Sequence, residues 1–279
     1  MAITAQEVNR LRKATGAGMM DCKKALTEAG GDFDKAVDIL RKKGQKVSAK
    51  RADRDAKEGA IFVNANGDGT EAVLIELNCE TDFVARNDDF VALGNGIAGV
   101  AASEKPADLA ALKSLPLNGT PISDELTNAM GKIGEKIDVS KYAHISGDSV
   151  VSYIHPGSRV GVVVAFDGST SGDVAAVGKD IAMQIAAMKP VAVDKDGVAQ
   201  DIIDKEMEIG KEQARQSGKP DNIVEKIAMG KLNKFFKEQT LLNQDFVKDT
   251  SKSVGQYIKD ELGGDISVRD FKLLVLGAS

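Results

Sequence analysis

Nucleophilic and metal-centred chemistry have little to draw on in this sequence, which holds two histidines, His144 and His155, and two cysteines, Cys22 and Cys79. A Ser-His-Asp or Cys-His apparatus needs a histidine aligned with its nucleophile. The cysteines stand 57 residues apart, too few and too scattered for a disulfide framework or a zinc site. Thiols used so sparingly suit a reducing cytoplasm. Both histidines fall on predicted strands and read more simply as strand residues than as a metal pair. The 42 acidic side chains leave two-carboxylate hydrolysis open in principle, but no spacing singles out a pair.

Two glycine patterns resemble nucleotide loops. Gly94-Asn95-Gly96-Ile97-Ala98-Gly99 matches G-x-G-x-x-G literally. The dinucleotide fingerprint, however, opens a helix straight after a strand. Here the match lies inside a helix pattern already begun by Phe90, Val91 and Leu93, so close helix packing through small residues is expected. From Gly172 to Lys179 a phosphate loop is matched only loosely, with five residues between the glycines and Asp180 where a Mg²⁺-binding hydroxyl belongs. No bound nucleotide and no cofactor are called for. Asn118-Gly119-Thr120 has the form of a glycosylation sequon, with nothing pointing to secretion.

The corner Asn78-Cys79-Glu80-Thr81-Asp82-Phe83-Val84-Ala85-Arg86-Asn87 is more informative. It leaves a predicted strand and enters a helix, a place where loops often carry function. Thr81 and Asp82 offer oxygen acceptors beside the apolar Phe83. Two readings stand side by side: a functional corner, or one in which Asp82 or Asn87 caps the helix and Phe83 enters the core.

These residues must be positioned by a chain of 279 residues, enough for about two or more domains of roughly 100–200 residues. A hydrophobic content of 42% fits a folded globular protein. No apolar run approaches the roughly 20 residues of a membrane span, and the first residues carry no signal-peptide pattern. The net charge is −5, unevenly spread: residues 41–57 carry +6, leaving −11 on the rest. That basic stretch reads as a solvated helical linker with internal charge pairing. The alternative is a nucleic-acid contact, for which it lacks stacking aromatics.

Residues 4–43 predict three short helices with a small core. Thr4 and Glu7 form a capping box, Asp21 and Asp32 are candidate caps, and Cys22, Ala25, Leu26, Phe33, Ala36, Val37 and Leu40 face inward. Strand patterns at 60–64 and 71–78 flank the turn Asn66-Gly67-Asp68-Gly69, followed by a helix over 88–103. Hairpin-then-helix recurs with strands at 149–155 and 159–166 and a helix over 173–189. Each helix closes near a Lys-Pro, Lys105-Pro106 and Lys189-Pro190. Between these halves, Ser123 can cap a helix with Leu126, Met130, Ile133 and Ile137 on one stripe. Helices over 198–217 and 221–238, split by Ser217-Gly218-Lys219-Pro220, predict an antiparallel helical hairpin. A helix near 251–261 and a strand near 266–276 close the chain. The fold class is therefore α+β, with segments 1–44 (helical module), 45–58 (basic linker), 59–140 (first core part), 141–190 with 239–279 (second core part) and 191–238 (inserted hairpin).

Two stretches carry a family resemblance. Leu11-Arg12 with Thr15-Gly16-Ala17-Gly18-Met19-Met20-Asp21-Cys22-Lys23-Lys24-Ala25-Leu26 resembles the N-terminal signature of bacterial elongation factor Ts, and Asn78-Cys79-Glu80-Thr81-Asp82-Phe83-Val84-Ala85 its second signature. The resemblance extends over nearly the whole chain and implies a ubiquitin-associated-like N-terminal module. It further implies a guanine-nucleotide exchange factor that binds elongation factor Tu, GDP-bound and nucleotide-free, with no covalent catalysis and no direct nucleic-acid or membrane contact. In the family, the segment matched by Thr81, Asp82, Phe83 and Val84 is implicated in displacing Mg²⁺ from the partner's nucleotide site. Arg12, Met19, Met20 and Lys23 match N-terminal partner contacts, and Ile133, Gly134 and His155 resemble contacts in the core. Many members end in a C-terminal helix that touches the partner. Only Gly277, Ala278 and Ser279 follow the last strand pattern here, so the core and N-terminal contacts are expected to supply the affinity. The helical hairpin can contact the partner, self-associate or simply project. The competing reading is an RNA- or ribosome-associated protein using residues 41–57.

Overall fold

The computed structural model describes residues 3–218 and 220–278. Expectations touching Met1, Ala2, Lys219 and Ser279 lie outside the described residues. Helix α1 (Ala5–Thr15) opens on the predicted capping box: Thr4 Oγ1 accepts from the Glu7 amide, and the Thr4 amide donates to the Glu7 carboxylate at 2.7 Å. Helix α2 (Met19–Glu28) begins at Gly18 without a side-chain cap. Asp21 lies inside its first turn and pairs with Lys43 at 2.5 Å rather than capping. Asp32 caps α3 (Phe33–Arg51) by accepting from the Lys35 amide. Val8, Leu11, Cys22, Ala25, Leu26 and Ala36 form the module's small core.

Helix α3 corrects the linker expectation. It runs through residues 45–51, because Lys, Arg, Gln and Ala sustain a helix and the weakest position, Gly44, is buried by tertiary packing. Only residues 52–57 connect the module to the core.

Strands β1 (Glu58–Ala65) and β2 (Glu71–Cys79) form the first hairpin. Then come α4 (Asp82–Ala85), α5 (Asp88–Glu104), α6 (Leu109–Ser114), the two-residue strands β3 (Pro116–Leu117) and β4 (Thr120–Pro121), α7 (Ile122–Ile133) and β5 (Asp138–Ser146). Helix α7 starts from Pro121, not from a Ser123 cap. It stops at Gly134, whose φ of 87° suits the left-handed turn that glycine adopts without penalty. Ile137 therefore lies beyond the helix, yet is buried in the same core. Strand β5 pairs antiparallel with β2, giving the sheet β1-β2-β5. It straddles the 140/141 boundary read from sequence, so residues 141–146 complete the first sheet.

The second sheet has the order β10-β7-β6, from β6 (Ser149–Ile154), β7 (Val160–Asp167) and β10 (Ser267–Val275). Between β7 and β10 lie α8 (Val174–Met188), α9 (Gln200–Gln216), α10 (Asp221–Gln239), the short hairpin β8 (Asp245–Phe246) with β9 (Asp249–Ser253), and α11 (Val254–Leu262). Helices α9 and α10 form the predicted hairpin, meeting where Gly210 approaches Ala228. Its base is pinned by backbone bonds from Val191 to Gln239 and from Leu241 to Ala192.

The two sheets lie against each other with Ile61, Ala72, Leu74, Ile145, Val150, Val163 and Ala165 between them. The outer face of the first sheet packs on α5, α6 and α7 through Val73, Ile75, Leu77, Phe90 and Ile97. The second sheet packs on α8 and α11 through Val162, Val164, Phe166, Ile181 and Ile258. Burial on both faces explains why β2 and β7 are almost unbroken apolar runs instead of alternating. Gly94 sits under the Phe62 ring, where an added Cβ would lie 2.3 Å from ring carbons, so the literal glycine motif belongs to helix–sheet packing. Both α5 and α8 end on a left-handed lysine, Lys105 at φ 48° and Lys189 at φ 47°, each just before proline. Among the described residues, no helix is long and apolar enough to cross a membrane.

Candidate functional site

The corner after β2 is built by hydrogen bonds rather than by apolar burial. Thr81 caps α4 by accepting from the Val84 amide, and Asn87 caps α5 by accepting from the Asp89 amide at 2.9 Å. Val84 and Ala85 turn inward onto the first core. Phe83 points the other way and is 83% exposed, so the reading that sent it into the core is overturned. Burying a phenylalanine side chain is worth about 1.5–3 kcal/mol, which this ring forgoes in the free protein. Asp82 does not cap; it pairs along the helix with Arg86 at 2.9 Å.

Beneath the corner two carboxylates cross. Glu135, just past the α7 stop, accepts from the Glu80 amide at 3.1 Å, the Thr81 amide at 3.0 Å and the Thr81 hydroxyl at 2.7 Å. Glu80 returns the contact by accepting from the Lys136 amide at 2.7 Å and from Arg51 at 2.5 Å, with Arg54 at 3.4 Å. Burial works against the Glu80 charge, but the Lys136 amide and Arg51 outweigh it and hold the carboxyl below its usual range. Cys79 donates its thiol to the Thr81 carbonyl at 3.1 Å; burial, then the Glu135 charge, push its pKa up to about 12. Burial also raises Cys22. Neither cysteine is poised as a thiolate nucleophile.

A run of local contacts links the corner to the α7 stop and to the turn between α1 and α2. Glu135 joins Thr81 to the Ile133-Gly134 turn, although Ile133 itself is half-buried on the first core. Lys132 pairs with Asp89 at 2.6 Å and lies against Gly16, the turn between α1 and α2. Beside that turn Arg12 and Lys23 are exposed, and Met19 and Met20 remain 54% and 74% exposed. Unpaired methionines on a helix start suit an adaptable apolar contact.

His155 stands apart from this line, in the turn after β6, where its Nδ1 lies 2.8 Å from the Tyr153 hydroxyl. The same turn is tied to β1 by the Ile61 amide donating to the Ser158 carbonyl and by Arg159 against Glu58 at 2.5 Å. An open cavity of about 630 Å³ separates it from the corner, with Asp82 and Arg86 on one rim and Gly157 and Arg159 on the other. His144 is on β5, in the other sheet, with Nε2 4.0 Å from the Glu71 carboxylate. Among the described residues, no group of three or more His, Cys, Asp or Glu is arranged to hold a metal.

Five of the eight basic side chains in the stretch are ion-paired, while Lys42, Lys46 and Lys50 are exposed without an ion pair among the described residues. Arg41 pairs with Asp124, Lys43 with Asp21, Arg51 and Arg54 with Glu80, and Lys57 with Asp55. Most of these partners come from other elements, so the charges dock α3 on the molecule instead of pairing within a linker. Sequence reasoning missed Glu80, Glu135 and Arg51. Glu80 sits inside the second signature, and Glu135 follows a helix-ending glycine. A carboxylate whose partners lie more than 50 residues away leaves no periodicity to read.

Comparison with known proteins identifies the family. The family described as Elongation factor TS matches residues 80–278. A protein of Amoebophilus asiaticus named Elongation factor Ts is 49% identical over 278 residues, covering 100% of both chains. Those of the same name from Cytophaga hutchinsonii and Christiangramia forsetii are 52% and 50% identical, covering 92% and 99% of each chain. With a family match over more than half its length and relatives aligned end to end, the chain belongs to the elongation factor Ts family of translation elongation factors.

Proposed function

We propose that this protein is a cytoplasmic guanine-nucleotide exchange factor that binds elongation factor Tu and promotes release of its GDP. The observation that carries the reading is Phe83, an exposed aromatic ring on a corner whose backbone is held by two crossed carboxylates. GDP is held in such a partner by a phosphate loop and by Mg²⁺ bridging phosphate oxygens. A protein that binds the nucleotide-free state better than the GDP state weakens GDP binding by the same factor. Only contacts that differ between the two states contribute. Exchange therefore needs binding energy and no covalent chemistry.

In this reading Arg12, Met19, Met20 and Lys23 anchor the partner's nucleotide-binding domain. Ile133, Gly134 and His155 add contacts from the core. Phe83 wedges into packing beside the Mg²⁺ site, displacing the groups that position the ion, while Asp82 and the flanking Thr81 and Val84 support the shifted arrangement. The wedge gains on complex formation the burial it lacks in the free protein. The test is release of a fluorescent GDP from elongation factor Tu. Phe83→Ala should slow stimulated release by about tenfold or more, equivalent to at least one lost differential contact, while weakening complex formation less. Equal release by both proteins would sink the wedge.

A further inference from the structure

We propose that Glu135 is a positioning residue for exchange: it holds the Thr81–Val84 corner in the one conformation that presents Phe83. The proposal rests on the exchange reading above, but the corner's own geometry leads to it. Helix α4 has four residues, far below the length at which a helix sustains itself. Its most apolar side chain faces solvent, so apolar burial holds the corner only through the half-buried Val84 and Ala85.

What replaces burial is one carboxylate that takes three donors from two consecutive residues: the Glu80 amide, the Thr81 amide and the Thr81 hydroxyl. The last bond also fixes the hydroxyl. With its proton spent on Glu135, Thr81 Oγ1 can only accept, which is what the Val84 amide requires of an N-cap. Glu135 is in turn held in place, because the next residue, Lys136, donates its amide to Glu80 and its ammonium to the Ala52 and Arg54 carbonyls at 2.6 and 2.9 Å. The crossing thus ties the corner to the α7–β5 junction and to the end of α3. A partner pressing on Phe83 would meet a backed strut instead of a loop that yields.

The absence of tryptophan from the chain allows a direct readout. In a Phe83→Trp background, the single indole reports the corner alone. Glu135→Ala should lower its anisotropy and raise its quenching by acrylamide, with the far-ultraviolet circular dichroism unchanged. Glu135→Gln should recover only part of the change, since its amide oxygen can take the two backbone donors but its NH₂ cannot accept the Thr81 hydroxyl proton. In the natural Phe83 background, Glu135→Ala should slow maximal stimulated GDP release about tenfold while changing the partner's dissociation constant less than about threefold. Adding Glu135→Ala to Phe83→Ala should cause no further loss, because both act through one group. Unchanged anisotropy in Glu135→Ala, or losses that multiply in the double variant, would overturn the proposal. If Phe83→Ala alone leaves release intact, the wedge reading fails instead, and the indole signal still decides whether Glu135 holds the corner.

Discussion

The two halves of the core turn the same strand-to-helix corner in opposite ways. In the first half, β2 leads through Thr81 into α4 and α5, and Phe83 stands in solvent over the Glu80–Glu135 crossing. In the second half, β7 ends at Asp167 and leads into α8 through residues 168–173. There Thr170 donates to the Leu262 carbonyl, the Gly172 amide donates to the Thr170 hydroxyl at 2.9 Å, and Asp173 caps the helix. The chain between α11 and β10 closes over that corner, so tightly that a Cβ on Gly168 would lie 2.3 Å from the Asp265 carbonyl. The aromatic residue that precedes that corner on β7, Phe166, is fully buried. One architecture, used twice, covers one corner with its own chain and leaves the other open.

The sharpest test of that contrast is the pair of phenylalanines. Phe166→Ala should cost about 3–5 kcal/mol in denaturant unfolding, as for a large aromatic lost from a core. Phe83→Ala should leave unfolding within about 0.5 kcal/mol, because its ring is mostly exposed in the free protein. A substantial stability loss in Phe83→Ala would break the comparison.

The first half is docked against the N-terminal module through α3 and α7. Helices α3 and α7 cross where a Cβ on Gly131 would lie 2.7 Å from the Gly44 Cα, a backbone clash that no rotamer relieves. Gly131→Ala should therefore destabilise by about 1–3 kcal/mol. Hydrogen exchange should show the loss concentrated in α3 and α7 and absent from α8. Smaller again is Thr81→Ala, which removes a helix cap and one bond to Glu135. A loss of about 1 kcal/mol in unfolding is expected, with faster exchange confined to residues 81–86.

The smallest effect is one of pH. Glu80 has a folded pKa below its ordinary value of 4.5, so it contributes stability at neutral pH that is lost as pH falls through the folded value. Between about pH 5 and pH 3 the natural protein should lose more unfolding free energy than Glu80→Gln, which lacks the titrating group. Parallel acid limbs for the two proteins would remove Glu80 from the account.

Much of the fold is legible locally. The capping box at Thr4 and Glu7 and the cap at Asp32 follow from side-chain oxygens reaching amides three residues on. Helices α5 and α8, the paired hairpins and the α9–α10 hairpin follow from apolar period and turn residues. The site signatures are also linear, since Arg12, Met19, Met20 and Lys23 lie within 12 residues and Thr81 to Val84 are consecutive. Misreadings arose where a local signal had two outcomes. The basic run at 41–57 carried helix propensity and charge together, and only the Gly44–Gly131 crossing and the carboxylates of Asp21, Glu80 and Asp124 made it a docked helix.

Sequence alone determined most of the long helices, the two main strand hairpins and the α9–α10 hairpin, the two signatures and the scarcity of nucleophiles, because caps, turns and periodicity act over a few residues. Tertiary structure decided that β5 joins the first sheet, that Phe83 faces out and that Glu135 lies under Thr81. A strand pattern states that its faces are apolar but not which edge it will pair with. An aromatic at a corner carries equal information for burial and for display. A carboxylate's partners are chosen by packing across 54 residues of chain, a distance over which no local rule operates.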